Sequence, residues 1–285
     1  MKSLAKKQKS NLKYAIIGIA AVLILILVFG YFKITGSPTV EAFLNIYQGD
    51  VKIDHGQGWV GATDGMDLEL KDKVRTEANS EAAIVLHEST IISMEAETEI
   101  FLKDLAKTHL KAEQPSGSTW NKFTGLAGVE GLSIETPTTV ATVRGTDFGV
   151  EMNEILVGEG EVEVEYKGQK HTIPSGKKAV IKDGELVIEE LTEEDWAKIN
   201  GNRQNTVKTL KVLRIREVEK HPFLAKRLKK QYGVTDAEIN EYLDRADRGE
   251  FDLDEVESMS PVKIESVKKI REFTEEIIKL NNLMK

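Results

Sequence analysis

Between Glu41 and Glu190 the apolar positions recur with a period of two, in short runs separated by turn residues. Met66, Leu68 and Leu70 alternate with Asp67, Glu69 and Lys71. Ala83, Val85 and His87 share one side of a run whose other side is Ile84 and Leu86. Ile92 and Met94, then Ile100 and Leu102, continue the series. A period of two predicts strands, and their close succession predicts a compact all-β domain, not βαβ units. After Gly145, Phe148, Val150 and Met152 alternate with Asp147, Gly149 and Glu151, which predicts a half-buried strand. Ile155 to Val157, Gly158-Glu159-Gly160 and Val162 to Tyr166 read as a return strand, a turn and a further strand, and Asp183-Gly184 marks a closing hairpin. Trp59, alone between strand signals, is expected to be a core anchor. The stretch from Gln114 to Gly131 lacks the pattern and is expected to be a long loop, tacked down by Trp120, Phe123 and Leu126.

From Thr192 the period changes to that of a helix. Thr192 with Asp195, and Thr235 with Glu238, have the spacing of capping boxes. Gly201-Asn202 is expected to interrupt or end the first helix, Pro222 to stop or restart it, and Gly233 to cap the next. The third is expected to run through Leu243. Ser260-Pro261 opens the last, where Val267, Ile270, Phe273, Ile277 and Leu280 form one apolar stripe expected to pack on the other helices. The basic residues from Lys208 to Lys230 read as a solvated face neutralised by nearby acids.

At the other end, Tyr14 to Phe32 carries no charge over 19 residues, which as a helix spans roughly 28 Å. Lys2, Lys6, Lys7, Lys9 and Lys13 precede it without an acid. The expectation is a basic cytoplasmic tail (1–13), a transmembrane helix (14–32), a β domain (33–190) and a helical region (191–285), with the bulk of the chain outside the cell membrane. A cleaved signal peptide is the competing reading, set back by the absence of a small-x-small cleavage pattern. The fold class expected is a mainly β domain of short antiparallel strands, sandwich or roll-like, preceded by one transmembrane helix and followed by a small all-α region.

Composition narrows the chemistry. The net charge is −8 although five lysines crowd the first 13 residues, so the body is acidic, which argues against a nucleic-acid partner. Without cysteine there is no disulfide, thiolate catalysis or cysteine-based zinc site. The five histidines form no local ligand pair, and no Gly-x-Ser-x-Gly, His-Glu-x-x-His or phosphate-loop motif occurs. Asp244 to Glu255 has the frame of a calcium loop, with Asp244, Asp252 and Glu255 as acidic candidates. Its third and fifth positions, however, are Ala246 and Arg248, which favours a helix-loop-helix without metal. No cofactor is expected. Arg144 falls between apolar strands, where an unpaired guanidinium would be costly; it is expected to pair with an acid or with backbone carbonyls and so fix a crossover.

One block is more specific. Thr136-Pro137, followed by Val143-Arg144-Gly145-Thr146-Asp147-Phe148-Gly149-Val150 and then Glu159-Gly160-Glu161-Val162, resembles the FecR domain family, with Gly65 to Leu70, Val74 to Thr76 and Ala82 to Leu86 similar to its opening strands. The resemblance runs from about residue 42 to 188. It departs at Lys71-Asp72-Lys73 and Glu88-Ser89, where turn geometry is expected to differ. It implies an extracytoplasmic sensing, scaffold or binding domain in which Thr136, Pro137, Arg144, Gly145, Thr146, Phe148, Glu159 and Gly160 form the structural motif. Family regulators carry a cytoplasmic region that engages a sigma factor; a basic tail of about 13 residues is expected to leave no room for one. The expected function is therefore that of a membrane-anchored, non-enzymatic binding, sensing or assembly protein, held in the membrane through 14–32 and meeting an envelope protein or polymer. The alternative is an envelope polysaccharide- or peptide-processing enzyme that uses paired carboxylates.

Overall fold

A computed structural model describes residues 42–124, 128–259 and 265–285. In chain order the strands begin with β1 (Ala42–Gln48), β2 (Val51–Asp54), β3 (Val60–Gly61), β4 (Asp67–Leu68), β5 (Lys73–Thr76) and β6 (Glu81–Leu86). Then come β7 (Thr90–Met94), β8 (Glu99–Ala106), β9 (His109–Ser116), β10 (Thr119–Phe123), β11 (Leu132–Glu135) and β12 (Thr139–Val143). The series closes with β13 (Asp147–Val150), β14 (Glu154–Glu159), β15 (Glu161–Tyr166), β16 (Gln169–Pro174), β17 (Lys177–Lys182) and β18 (Glu185–Glu190). Five helices follow: α1 (Glu193–Glu219), α2 (Pro222–Tyr232), α3 (Asp236–Asp247), α4 (Leu253–Met259) and α5 (Glu265–Leu283).

The strands form two nine-stranded sheets. One has the order β18-β17-β14-β13-β10-β7-β6-β1-β4, and the other β16-β15-β12-β11-β9-β8-β5-β2-β3. Pairing is antiparallel except between β9 and β11, which run parallel, so the second sheet is mixed where a purely antiparallel one was expected. Alternation sorts the side chains: Leu44, Ile84, Leu86, Ile92, Met94, Phe148 and Val150 join Leu102, Leu110, Ile134 and Val164 in the core between the sheets.

The opposite face of the first sheet is covered. Phe43, Ala83, Val85 and Ile91 pack on Leu210 and Leu213 of α1 and on Phe273, Ile277 and Leu280 of α5. Trp120 and Leu156 pack on Ile199. The helices are therefore a third layer on the sheet, not a bundle beside it, and β13, expected to be half-buried, is buried on both faces. The same cover explains the misread stretch after Gln114: β10 is buried at every position, so it shows no period of two. Leu126 lies outside the described residues.

Chain crossings between the sheets occur at tight corners. Gly117 connects β9 to β10 with φ +83°, and a Cβ there would stand 2.3 Å from Thr98 Oγ1. Gly160 connects β14 to β15 with φ +77°, and its Cβ would stand 2.9 Å from Thr146 Cγ2 and 3.0 Å from the Gly145 carbonyl oxygen. Both positions need the missing side chain and the left-handed backbone together.

Helix ends follow the sequence closely. Both capping boxes form, at Thr192–Asp195 and Thr235–Glu238, and Gly233 caps α2 in the left-handed region with φ 66°. Helix α1, however, runs through Gly201-Asn202 without a break, and α3 continues to Asp247. Ser260-Pro261 lies outside the described residues.

The membrane-anchored architecture is corrected. Residues 14–32 lie outside the described residues, and no helix among the described ones is long and apolar enough to cross a membrane. The described residues thus support no transmembrane helix, no single-pass topology with a cytoplasmic N-terminus, and no membrane partner.

Candidate functional site

The motif residues divide between the two ends of β12. At its start, Thr136 closes the β11–β12 turn: its Oγ1 accepts from Thr139 N at 2.9 Å, and its own N–H donates to the Thr139 carbonyl at 2.8 Å. Pro137 stands exposed in that turn, where its missing N–H costs no ladder bond. Roughly 17 Å away, at the far end of the strand, Gly145, Thr146, Glu159 and Gly160 meet where two corners lie side by side. Phe148 is fully buried between the sheets.

Arg144 does not occupy the place expected of it. It is exposed on the β12–β13 corner and makes no ion pair among the described residues. The buried guanidinium belongs to Arg203 on α1, 1% exposed, whose Nε donates to Asp147 Oδ2 at 2.7 Å. Asp147 is the third residue after Arg144 and is fully buried. The motif thus does hold a buried ion pair, but its cation arrives from a helix more than fifty residues on.

That pair sits in a charge-balanced set. Lys122 Nζ, on β10, lies 3.1 Å from Glu159 and 2.8 Å from Glu276 on α5, and Lys279 pairs with the other oxygen of Glu159. Three acids and three bases therefore join two strands, a corner and two helices. Burial pushes the Asp147 carboxyl above the ordinary carboxylate range, against the pull of the Lys122 and Arg203 charges. Burial opposes the Lys122 ammonium, but Glu276, Asp147 and Glu159 outweigh it and raise its pKa. Desolvation also works against ionised Glu159, yet Lys279 and Lys122 bring its pKa below the usual value. The set ties β10, β13 and the β14–β15 corner to α1 and α5.

Further along α1 the contacts are polar rungs. Asn202 Nδ2 donates to Glu95 Oε1 at 3.1 Å, and Asn205 Nδ2 to Glu81 Oε2 at 3.1 Å. The Tyr47 hydroxyl donates to the Asn205 carbonyl at 3.1 Å and meets Thr209 Oγ1. Between these rungs and the strands opens a cleft of about 430 Å³, with Glu81, Ser93, Glu95 and Lys198 on its walls. Sequence reasoning missed this site because the buried face of α1 sets Asn202, Arg203, Thr206 and Thr209 between its apolar contacts at Ile199 and at Leu210 and Leu213.

The other candidates are placed as follows. Trp59, expected in the core, is half-exposed beside the β3 edge with the Arg75 guanidinium 4.4 Å above its ring. The basic stretch is partly neutralised, Lys211 by Asp244 and Asp247, and Lys220 by Glu88 and Glu217. In the calcium-loop frame, Asp247 is held by Arg214 at 2.6 Å, and Arg248 pairs with Glu250 at 2.6 Å. Asp252 Oδ1 accepts from the backbone N–H groups of Asp254 and Glu255. Among the described residues no group of three or more histidine or acidic side chains is placed to hold a metal ion.

With this geometry in hand, comparison with known proteins adds one assignment. The family model described as "FecR protein" matches residues 72–165, which span β5 to β15 and include both corners and Asp147. Residues 72–165 form a FecR-like domain. The first strands, the last three and all the described helices lie outside the match. No curated protein matches the chain. Two crystal structures of a candidate anti-sigma factor from Parabacteroides distasonis ATCC 8503 are similar at 13% identity, with TM-scores of 0.38 and 0.37. In each, the shared part covers 41% of this chain and 59% of that one. So weak a likeness adds nothing to the FecR-like assignment.

Proposed function

We propose that the chain is a non-enzymatic, extracytoplasmic FecR-like binding protein whose partner is a protein. The observation that supports this reading is the use to which the motif is put. Gly145, Thr146 and Gly160 build corners, while Asp147 and Glu159 anchor helices, so the most specific residues of the FecR-like domain serve architecture. The two carboxylates that do face a cleft, Glu81 and Glu95, are each tied to an amide side chain, and no histidine lies with them. Recognition then falls to the exposed surface, including the sheet edges at β3 and β18, where Val60 and Ile188 stand exposed. The reading calls on no sigma-factor-binding module.

Photoreactive residues placed at Val60 and at Ile188 of the full chain, expressed in its own cells, test this. A single discrete protein adduct at one position, together with no turnover of envelope polysaccharide or peptide by the purified chain, is the expected result. Turnover that disappears in Glu81→Gln or Glu95→Gln would contradict the reading and support a carboxylate-dependent enzyme.

A further inference from the structure

The cleft between α1 and the first sheet has three features that packing alone does not explain. The first is Gly201. It lies inside a helix of 27 residues, where glycine costs about 1 kcal/mol relative to alanine. A Cβ at Gly201 would meet nothing within 4 Å, so close approach to the sheet does not require it. Its effect is to keep the wall of the cleft bare.

The second is Ser93, 3% exposed on the strand side. Its hydroxyl lies close enough to Tyr47 to moderate that phenol's acidity. The Tyr47 hydroxyl is already engaged by the Asn205 carbonyl and Thr209, however, and Ser93 Oγ is left without a partner of proper geometry. A buried hydroxyl in that condition carries an unrecovered desolvation cost.

The third is charge. Glu81 accepts from Gln48 Nε2 and Asn205 Nδ2, both neutral amides, and makes no ion pair among the described residues. Lys198 is shared between Glu95 and Glu151. Lys208, outside the lining, donates to the amide oxygen of Asn205 at 2.9 Å. Of the charged residues on the walls, Glu81 and Glu95 face one ammonium group, that of Lys198, which Glu95 shares with Glu151, so the surplus negative charge is at Glu81.

We propose that this cleft binds a cationic side chain, an ammonium or guanidinium group, presented by a protein partner. The cation would pair with Glu81 and donate to Ser93 Oγ, while its aliphatic stem would lie along the bare wall at Gly201. A volume of about 430 Å³ accepts one long side chain with room for water. The proposal deepens the reading of a protein partner and rests on it. Its test uses small probes, so the cleft can fail while partner capture succeeds, or the reverse.

Amide spectra of the 15N-labelled full chain are followed during titration with the methyl esters of Nα-acetyl-arginine, Nα-acetyl-lysine and the neutral isostere Nα-acetyl-citrulline. The expected result is saturable perturbation at Ser93, Gly201, Asn202 and Asn205 by the arginine or the lysine ester, with none from citrulline. Glu81→Gln should weaken binding at least tenfold. Gly201→Leu, which favours the helix and fills the cleft, should abolish it without lowering the melting temperature. Should Gly201→Leu fail to fold, Glu81→Gln decides alone. Equal response to citrulline, perturbation elsewhere, no response to either cation, or wild-type binding by Glu81→Gln would overturn the proposal.

Discussion

Replacing Arg203 by alanine should cost the fold several times more than replacing Arg144, although Arg144 is the arginine that the motif displays. In the wild type Arg203 is 1% exposed and its Nε lies 2.7 Å from a fully buried Asp147 carboxylate. Removing one partner of a buried ion pair costs about 3–5 kcal/mol, because the other charge stays behind without compensation. Lys122 still faces Asp147, which places the expected loss near the lower end, about 3 kcal/mol. Arg144 is exposed without an ion pair, so Arg144→Ala should stay within about 0.5 kcal/mol. Arg203→Met with Asp147→Asn should recover much of the loss, since neither residual charge remains. The pH dependence has a definite sign. The folded pKa of Asp147 already lies above its unfolded value, so its ionisation is a cost that appears as pH rises through the folded pKa and is absent below the unfolded one. Losing Arg203 raises that folded pKa further. The gap between Arg203→Ala and wild type should therefore be widest near neutrality and narrow as pH falls into the carboxylate range. Urea unfolding of the two single variants, the double variant and wild type at several pH values measures all of this. Equal losses for Arg203→Ala and Arg144→Ala, or a gap that widens in acid, would refute the reasoning.

Gly158→Ala should destabilise by about 1–3 kcal/mol, because its Cβ would stand 3.0 Å from Arg203 Nη2 and 3.3 Å from Asp147 oxygens. Thermal melting should show the effect shrinking in an Arg203→Met background. The Tyr47 phenol is pushed up to about 12 by burial, with the Thr209 hydrogen bond and the nearby Ser93 hydroxyl pulling the other way. Its raised folded pKa contributes stability that is complete below pH 10 and lost as pH rises towards 12. Wild type should therefore lose about 2–3 kcal/mol more than Tyr47→Phe between those limits in urea titrations. Calorimetry of the full chain should show no micromolar calcium binding, since Asp247 is committed to Arg214 and Lys211 and Glu250 to Arg245 and Arg248. Tight binding with a raised melting temperature would contradict this.

Much of the architecture was legible because it obeys local rules. Alternation at Ala82 to Leu86, the two capping boxes and the Gly233 cap are each decided within a few residues, whereas alternation at Met66 to Leu70 yields only the two-residue β4 and leaves Leu70 exposed. What was not legible is decided across long sequence separations. β10 and β13 are covered on one face by the second sheet and on the other by helices that come later in the chain, so alternation cannot report a strand that is buried on both sides. Helix α1 hid part of its docking face because, between Ile199 and Leu210, it meets the sheet through Asn202, Arg203, Asn205 and Thr209, a polar row that looks like a solvated surface until its partners are known. The misassigned arginine has the same origin. Sequence proximity put Arg144 beside the apolar strands, but Arg144 is exposed on the corner, and Asp147, the first residue of β13, takes its cation from Arg203. Trp59 failed differently: a lone aromatic near an edge strand was covered by one guanidinium instead of the core.

Hydrogen exchange on the full chain gives the most direct test of the claim that the FecR-like sandwich and its helices act as one closed unit. Amides of α1 between Ile199 and Leu213 and those of β10 and β13 should open together, with one free energy, and Arg203→Ala should lower that value for all three alike. Rapid exchange along α1 while β10 and β13 stay protected, or loss confined to α1 in the variant, would contradict the account.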